Sequence, residues 1–340
     1  MLPSHQFPLL SPGKFRAVSR MLDQHGCFKM VAADQRAPMR GILSTALGRQ
    51  PTFEDMKTMK RLLDEGLADH STALLMDPEY GLPGILGVMP ARPALIVALE
   101  DSNFEVTPGG RKSHVIPNWS VEKIKRLGAE GVKYLVWHNE KADAAVTQHQ
   151  LDLIRRLGDE CRRYDIAFLL EILVYPHQED DATFASNRTE HVLKSVEAFA
   201  DPAFGVDIYK LETPCDANGL ATNEQACQAL TALFGRMTGC LQSPWVMLSA
   251  AAEPEDFAAV LRSAYAAGCN GFLAGRSIWK SAAEAYPDLS EVRKRLSTEG
   301  LPYLESLNQL TEKFGTHYKA QSAVPTASSV EDFPLAFEGF

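Results

Sequence analysis

Phe204-Gly205-Val206-Asp207-Ile208-Tyr209-Lys210-Leu211-Glu212 is an apolar, β-prone run, and Pro214 stops it shortly after its end. From residue 29 to 280 such runs alternate with longer amphipathic ones: Lys29 to Ala33, Thr72 to Met76, Ala94 to Leu99, Val132 to Trp137, Ile166 to Leu170, Val206 to Leu211, Trp245 to Leu248 and Gly271 to Ala274. Between them, apolar side chains recur at helical spacing. Phe53, Met56, Met59 and Leu63 form one stripe, Leu151, Ile154, Leu157 and Cys161 a second, and Phe257, Val260, Leu261 and Ala264 a third. Ser120 and the pair Glu253-Pro254 supply helix starts in phase with that pattern. Eight strand-helix units with no linker between them predict a parallel (β/α)8 TIM barrel. Ser11 to His25 is expected as an extra N-terminal helix plugging the barrel bottom, and Leu289 to Tyr318 as extra C-terminal helices.

The 340 residues, 45% of them apolar, suffice for one large core, and a single barrel domain over residues 1–320 is expected. Residues 321–340 form a Ser/Ala/Pro-rich tail carrying Phe333, Phe337 and Phe340, either disordered or docked on the barrel or on a second subunit of a homo-oligomer. A formal net charge of -9, without blocks of like charge, argues against nucleic acid and against anionic membrane as partners. The six cysteines are scattered singly, as in a reduced cytoplasmic protein, and neither a secretory leader nor a membrane span is legible.

In a barrel of this kind the active site lies at the carboxyl ends of the strands. There the chain places Asp34-Gln35-Arg36, Asp77-Pro78-Glu79-Tyr80, Glu100-Asp101, Glu171, Lys210 with Glu212, Ser249, and Gly275-Arg276-Ser277; Lys133 shares the inward face of the fourth strand with Leu135 and Trp137. Lys133, Glu171 and Lys210 would stand on three adjacent strands. Burial disfavours a charged amine, and a second ammonium nearby disfavours it further, so Lys210 is the candidate nucleophile toward a carbonyl. Glu171 is the candidate proton shuttle, ahead of Glu212 one pleat further on. The alternative readings are structural: Glu171 as the salt-bridge partner of a lysine, and Lys133 as a barrel-layer residue paired with Asp34.

Ser249, the backbone amides of Gly275 to Ser277, and Arg276 suit an oxyanion, where this fold often holds phosphate; the alternative is a surface Arg276 with Ser277 as a helix cap. Arg111-Lys112, in the Gly/Pro-rich loop Asp101 to Pro117, would contact another phosphate or be solvated. The histidines show no HxH or HExxH pair, so no metal site is expected, and an iminium chemistry needs no cofactor. Gly109-Gly110 and Gly81-Leu82-Pro83-Gly84 read as turns.

The set Val31-Ala32-Ala33-Asp34-Gln35-Arg36, Leu74-Leu75-Met76-Asp77-Pro78-Glu79-Tyr80-Gly81, Gly131-Val132-Lys133, Leu170-Glu171, Gly205-Val206-Asp207-Ile208-Tyr209-Lys210 and Gly271-Phe272-Leu273-Ala274-Gly275-Arg276 resembles the class I tagatose-1,6-bisphosphate aldolase family, with its sulfofructosephosphate aldolase relatives. The resemblance implies a (β/α)8 barrel with Lys210 as the Schiff-base lysine and Glu171 as the acid/base. By it, Asp34, Gln35 and Lys133 line the sugar site, and Ser249 and Arg276 hold a terminal phosphate or sulfonate. The implied reaction cleaves a ketose phosphate, foremost tagatose 1,6-bisphosphate, to dihydroxyacetone phosphate and a three-carbon aldehyde. A sulfo-sugar or deoxy-ketose phosphate is the second expectation, and a non-catalytic sugar-phosphate-binding barrel the third.

Two positions depart from the family pattern. Ser249-Ala250-Ala251 stands where that pattern has Ser-Ala-Gly or Ser-Ser-Gly, which puts a methyl group where glycine lets an anion reach the backbone. Trp137-His138-Asn139-Glu140 replaces a Tyr/Asp-rich turn at the strand-four exit, a change that bears on the far end of the substrate.

Overall fold

The computed structural model describes residues 7–89 and 93–323. Eight parallel strands close into a barrel: β1 (Phe28–Ala33), β2 (Ala73–Met76), β3 (Ala94–Ala98), β6 (Gly131–His138), β7 (Ala167–Val174), β8 (Ile208–Leu211), β9 (Trp245–Met247) and β10 (Gly271–Ala274). Two further strands, β4 (Glu105–Thr107) and β5 (Gly110–Lys112), form a separate antiparallel hairpin in the β3–β6 connection. Around the barrel the order is β1-β10-β9-β8-β7-β6-β3-β2, so chain neighbours are spatial neighbours throughout.

Period-two alternation explains how each strand can be apolar on both faces. Val31, Leu74, Val97, Val132, Phe168, Tyr209, Met247 and Phe272 face outward and pack under the helices. Their neighbours Met30, Leu75, Ile96, Leu169, Ile208, Val246 and Leu273 face inward and fill the lower barrel. Helix α1 (Pro12–Met21) adds Ala17, Val18 and Met21 to this inner cluster, which closes the amino end as expected. The segment beyond the last helix returns to the same end, where Tyr318 stacks on Phe28 at 6.1 Å and Leu10 pairs with Gln321 and Ala323.

The outer stripes are largely where the periodicity put them. In α3 (Phe53–Leu67), opened by a capping box between Thr52 and Asp55, Met56, Met59 and Leu63 are buried while Phe53 is exposed. In α6 (Ala144–Arg163) Ile154, Leu157 and Cys161 are buried, and α9 (Pro254–Ala266) buries its whole stripe. The expected C-terminal addition is α11 (Leu289–Arg295), a π-turn, and α12 (Leu301–Phe314).

Three expectations need correction. The fifth apolar run does not end at Leu170: β7 continues to Val174, so Glu171 sits inside a strand rather than at its exit. Gly81-Leu82-Pro83-Gly84 is the start of a short helix, α4 (Gly81–Ile85), because Asp77 accepts from the amides of Glu79 and Tyr80 and winds the chain before it. Part of the 101–117 loop is ordered as the β4–β5 hairpin, with Gly109-Gly110 at its turn. The tail aromatics Phe333, Phe337 and Phe340 lie outside the described residues.

Candidate active site

Two residues above the apolar plug, the inward positions turn polar: Ile208 is followed by Lys210, Leu169 by Glu171, Gly131 by Lys133 and Ala32 by Asp34. Register then decides which of these meet. Glu171 is paired with Lys210 across β7–β8, and Lys133 lies on β6 beside β7. Lys210 Nζ stands 3.0 Å from Glu171 Oε2, and both residues are buried, 3% and 6% exposed. The same Glu171 oxygen is 2.7 Å from Lys133 Nζ.

Lys133 is the hub of the polar layer. Its ammonium also lies 2.8 Å from Asp34 Oδ2 and 2.8 Å from Glu100 Oε1, and Arg36 Nη2 approaches Glu100 Oε1 at 3.5 Å. Burial would pull the Lys133 pKa down, but the charges of Asp34, Glu100 and Glu171 outweigh that and hold it well above the ordinary lysine value. The reverse holds for Asp34: burial opposes ionisation, yet Lys133 and Lys210 keep its carboxyl below the usual carboxylate range. The two lysines therefore do not confront each other directly, as the sequence reading had them do, because a carboxylate oxygen lies against both. The pairing of Lys133 with Asp34, read from sequence as an alternative, is present together with the contact to Glu171.

A cavity of about 240 Å³ opens above Lys210 at the carboxyl ends of the strands. Gln35, Glu171, Lys210, Ser249, Gly275 and Arg276 line it, joined by Trp137 and Glu212. Asp34 and Lys133 are not on its wall; they reach it through Glu171. Gly275 is required by space, since a Cβ there would lie 2.4 Å from the Ala32 carbonyl oxygen and 3.0 Å from Gln35 Nε2. It immediately precedes α10 (Arg276–Glu284), whose first amides have no intrahelical acceptor and carry the positive end of the helix dipole. Ser249 is buried beside Ala250 and Ala251, whose φ values of 47° and 64° are left-handed. The loop keeps a conformation that favours glycine while carrying two methyl groups.

Glu212 is also in the cavity but is committed elsewhere. Its Oε1 accepts from the Val174 amide at 2.7 Å and its Oε2 pairs with Arg188, while burial pushes its pKa up against those partners. Sequence reasoning noted Glu100 only as a strand end, yet it is the third carboxylate on Lys133. No local signal marks it; only the β3–β6 register, which pairs Ala98 with Lys133, brings it there. A larger concavity, about 380 Å³, lies at the opposite end of the barrel, where Lys14 and Asp207 already pair at 2.7 Å. Ser11, Arg162 and Ser243 on its wall are likewise hydrogen-bonded within the protein.

A closed parallel barrel with a buried lysine and glutamate in contact at its carboxyl mouth is an arrangement that can run carbonyl chemistry through a lysine amine. The model of the DeoC/LacD family aldolases matches residues 28–281, and the chain belongs to that family. It is 32% identical to tagatose 1,6-diphosphate aldolase 2 of Enterococcus faecalis over 327 residues, covering 93% of this chain and 98% of that protein. Tagatose 1,6-diphosphate aldolase 1 of Streptococcus mutans is 29% identical over 91% of this chain and 99% of its own length. Among solved structures, fructose-bisphosphate aldolase of Plasmodium falciparum superposes with a TM-score of 0.65 at 14% identity, covering 92% of this chain and 99% of its own. A Schiff-base-forming fructose-1,6-bisphosphate aldolase gives 0.55 at 15% identity, over 87% and 99% of the two chains. These structural likenesses carry the barrel fold. Among the described residues no helix is long and apolar enough to cross a membrane.

Proposed function

We propose that this chain is a class I aldolase that cleaves a ketose bisphosphate, tagatose 1,6-bisphosphate, into dihydroxyacetone phosphate and a three-carbon aldehyde phosphate. The observation that carries the reading is the 3.0 Å approach of Lys210 Nζ to Glu171 Oε2, both buried on the floor of a cavity whose rim holds Arg276. In the reaction Lys210 passes a proton to Glu171 and its amine adds to the ketone carbon. Glu171 returns the proton to the carbinolamine hydroxyl, which leaves as water, and an iminium remains. The ionised Glu171 then takes the proton of the C4 hydroxyl. The C3–C4 bond breaks, its electron pair moves into the iminium to give an enamine, and the aldehyde departs. Protonation of the enamine carbon and addition of water release dihydroxyacetone phosphate and restore the amine.

Lys133 serves this cycle by holding Glu171 in place against Lys210. Gln35, whose side-chain oxygen is buried without a partner among the described residues, is placed to accept from a sugar hydroxyl. Ser249, Gly275 and Arg276 hold the phosphate of the imine-bound half. Six free thiols fit a reducing cytoplasm. A sulfo-sugar or deoxy-ketose phosphate is favoured instead only by the left-handed Ala250-Ala251 loop beside Arg276, and kcat/KM over a ketose panel separates the two.

Borohydride reduction with dihydroxyacetone phosphate should fix a three-carbon adduct on Lys210, located by peptide mass mapping, and Lys210→Met should lose both adduct and turnover. Cleavage without an adduct at Lys210 refutes the mechanism.

A further inference from the structure

The hairpin in the β3–β6 connection carries a guanidinium that the reaction above leaves unused. Arg111 lies within a box of three aromatic rings, with its central carbon 4.5 Å from the Phe104 centroid, 4.8 Å from Trp137 and 4.6 Å from Tyr175. Among the described residues its side chain makes no ion pair and no hydrogen bond. Other cations around the mouth are committed: Arg36 to Glu79 and Glu100, Arg188 to Glu212, and Lys133 to its three carboxylates. Among the described residues Arg276, the residue assigned above to an anion, likewise has no acidic partner.

We propose that Arg111 binds the second phosphate of the substrate, at the end remote from Arg276. The inference rests on the bisphosphate reading and specifies the residue that selects for it. Position is the first argument. Trp137 belongs both to the ring box and to the wall of the cavity that holds Lys210. It lies on β6, four strands from β10 around an eight-strand barrel, so the Arg111 box and Arg276 stand on opposite sides of the mouth, and the strands of Glu171 and Lys210, β7 and β8, come between them in the strand order. An extended sugar whose bond is cut in the middle needs its two anions held at opposite sides of the lysine.

The second argument is the way the guanidinium is presented. The three rings hold it by cation–π attraction, and among the described residues its N–H donors have no acceptor, which leaves them for a phosphate that a guanidinium can bind bidentately. Burial draws its pKa down with no carboxylate to offset the loss, yet an arginine in protein stays charged. The hairpin is also fixed: the Arg111 amide donates to Tyr175 Oη at 2.8 Å, and its carbonyl accepts from Gln150 Nε2 at 3.1 Å. Gly110 packs so closely that a Cβ would lie 2.5 Å from Tyr175 Oη. A cation held rigid before the ligand arrives loses little freedom on binding it.

The test compares tagatose 1,6-bisphosphate with tagatose 1-phosphate on the purified enzyme, wild type against R111M and R111K. R111M should lower kcat/KM for the bisphosphate by roughly 30- to 100-fold, mostly through KM, and leave the monophosphate within about twofold. R111K should recover part of the loss, since an ammonium keeps the charge but not the fork. Equal losses on both substrates, or none on either, overturn the proposal. Should R111M fail to fold, the wild-type preference for the bisphosphate and its change in R111K decide the matter. A wild-type enzyme that cleaves both substrates equally well refutes Arg111 alone; one that cleaves neither and forms no borohydride adduct refutes the aldolase reading and this proposal with it.

Discussion

Replacing Lys133 with methionine removes the cation on which three buried carboxylates converge. Asp34, Glu100 and Glu171 sit 2.7 to 2.8 Å from its ammonium, itself 1% exposed, and afterwards keep Arg36, Lys210 and the charge of Lys60, which already pairs with Asp77. One negative charge is then buried without compensation. Breaking such a pair from one side costs about 3–5 kcal/mol. At roughly 2.1 cal/mol/K per residue, a chain of 340 residues loses about 4–7 °C in Tm. The sign with pH separates this cause from lost packing. In wild type, the depressed Asp34 pKa stabilises the fold above about pH 4, and that contribution fades as acid protonates the folded carboxyl. In the variant, the uncompensated carboxylate has a raised folded pKa, so the folded state binds the extra proton and stability falls as pH rises through that window. The deficit against wild type should therefore be larger at pH 8 than at pH 5, measured by urea unfolding. A deficit below about 1 kcal/mol, or one equal at both pH values, would refute the assignment of Lys133 as the compensating charge.

Other perturbations test separate features. Ala251→Gly removes a methyl group from a left-handed position and should gain about 0.5–1 kcal/mol, read as a higher urea midpoint; no gain would mean that the loop is not strained there. Burial pushes the Asp64 carboxyl up to about 6, so its ionisation near neutral pH opposes folding, and Asp64→Asn should stabilise the protein by about 1–2 kcal/mol above pH 6 and not at all below pH 4. Gly158→Ala would put a Cβ 1.9 Å from the Phe204 carbonyl oxygen, so α6 must shift, and a loss of about 3 kcal/mol in thermal or urea unfolding is expected.

The barrel was legible because its evidence is local. Each strand is an apolar run bounded by turn residues, and helix stripes such as Ile154, Leu157 and Cys161 repeat at a spacing that no strand tolerates. The strand ends were less so: Ile172 and Leu173 continue β7 past an acidic residue, and only pairing with Val136 and Trp137 of β6 shows that the strand goes on. Lys210 could be named from its position near the end of its run and Glu171 from its place just after one, since strand ends point into the mouth of such a barrel. The third carboxylate on Lys133 could not, because Glu100 is brought there by register across residues 33 apart. Arg111 was open between a phosphate contact and a solvated side chain for the same reason: its box draws Tyr175 from just past the end of β7, 64 residues away.

The helical stopper α1 gives the reaction chamber a single doorway. With Ala17, Val18 and Met21 sealing the amino end, a product tethered to Lys210 on the proposed mechanism would leave through the carboxyl mouth. On that mechanism the aldehyde departs at bond cleavage and the tethered half only after the enamine is protonated and the imine hydrolysed, so both would pass the same mouth in sequence. Product-inhibition patterns should register that order: dihydroxyacetone phosphate competing with substrate, the aldehyde phosphate not.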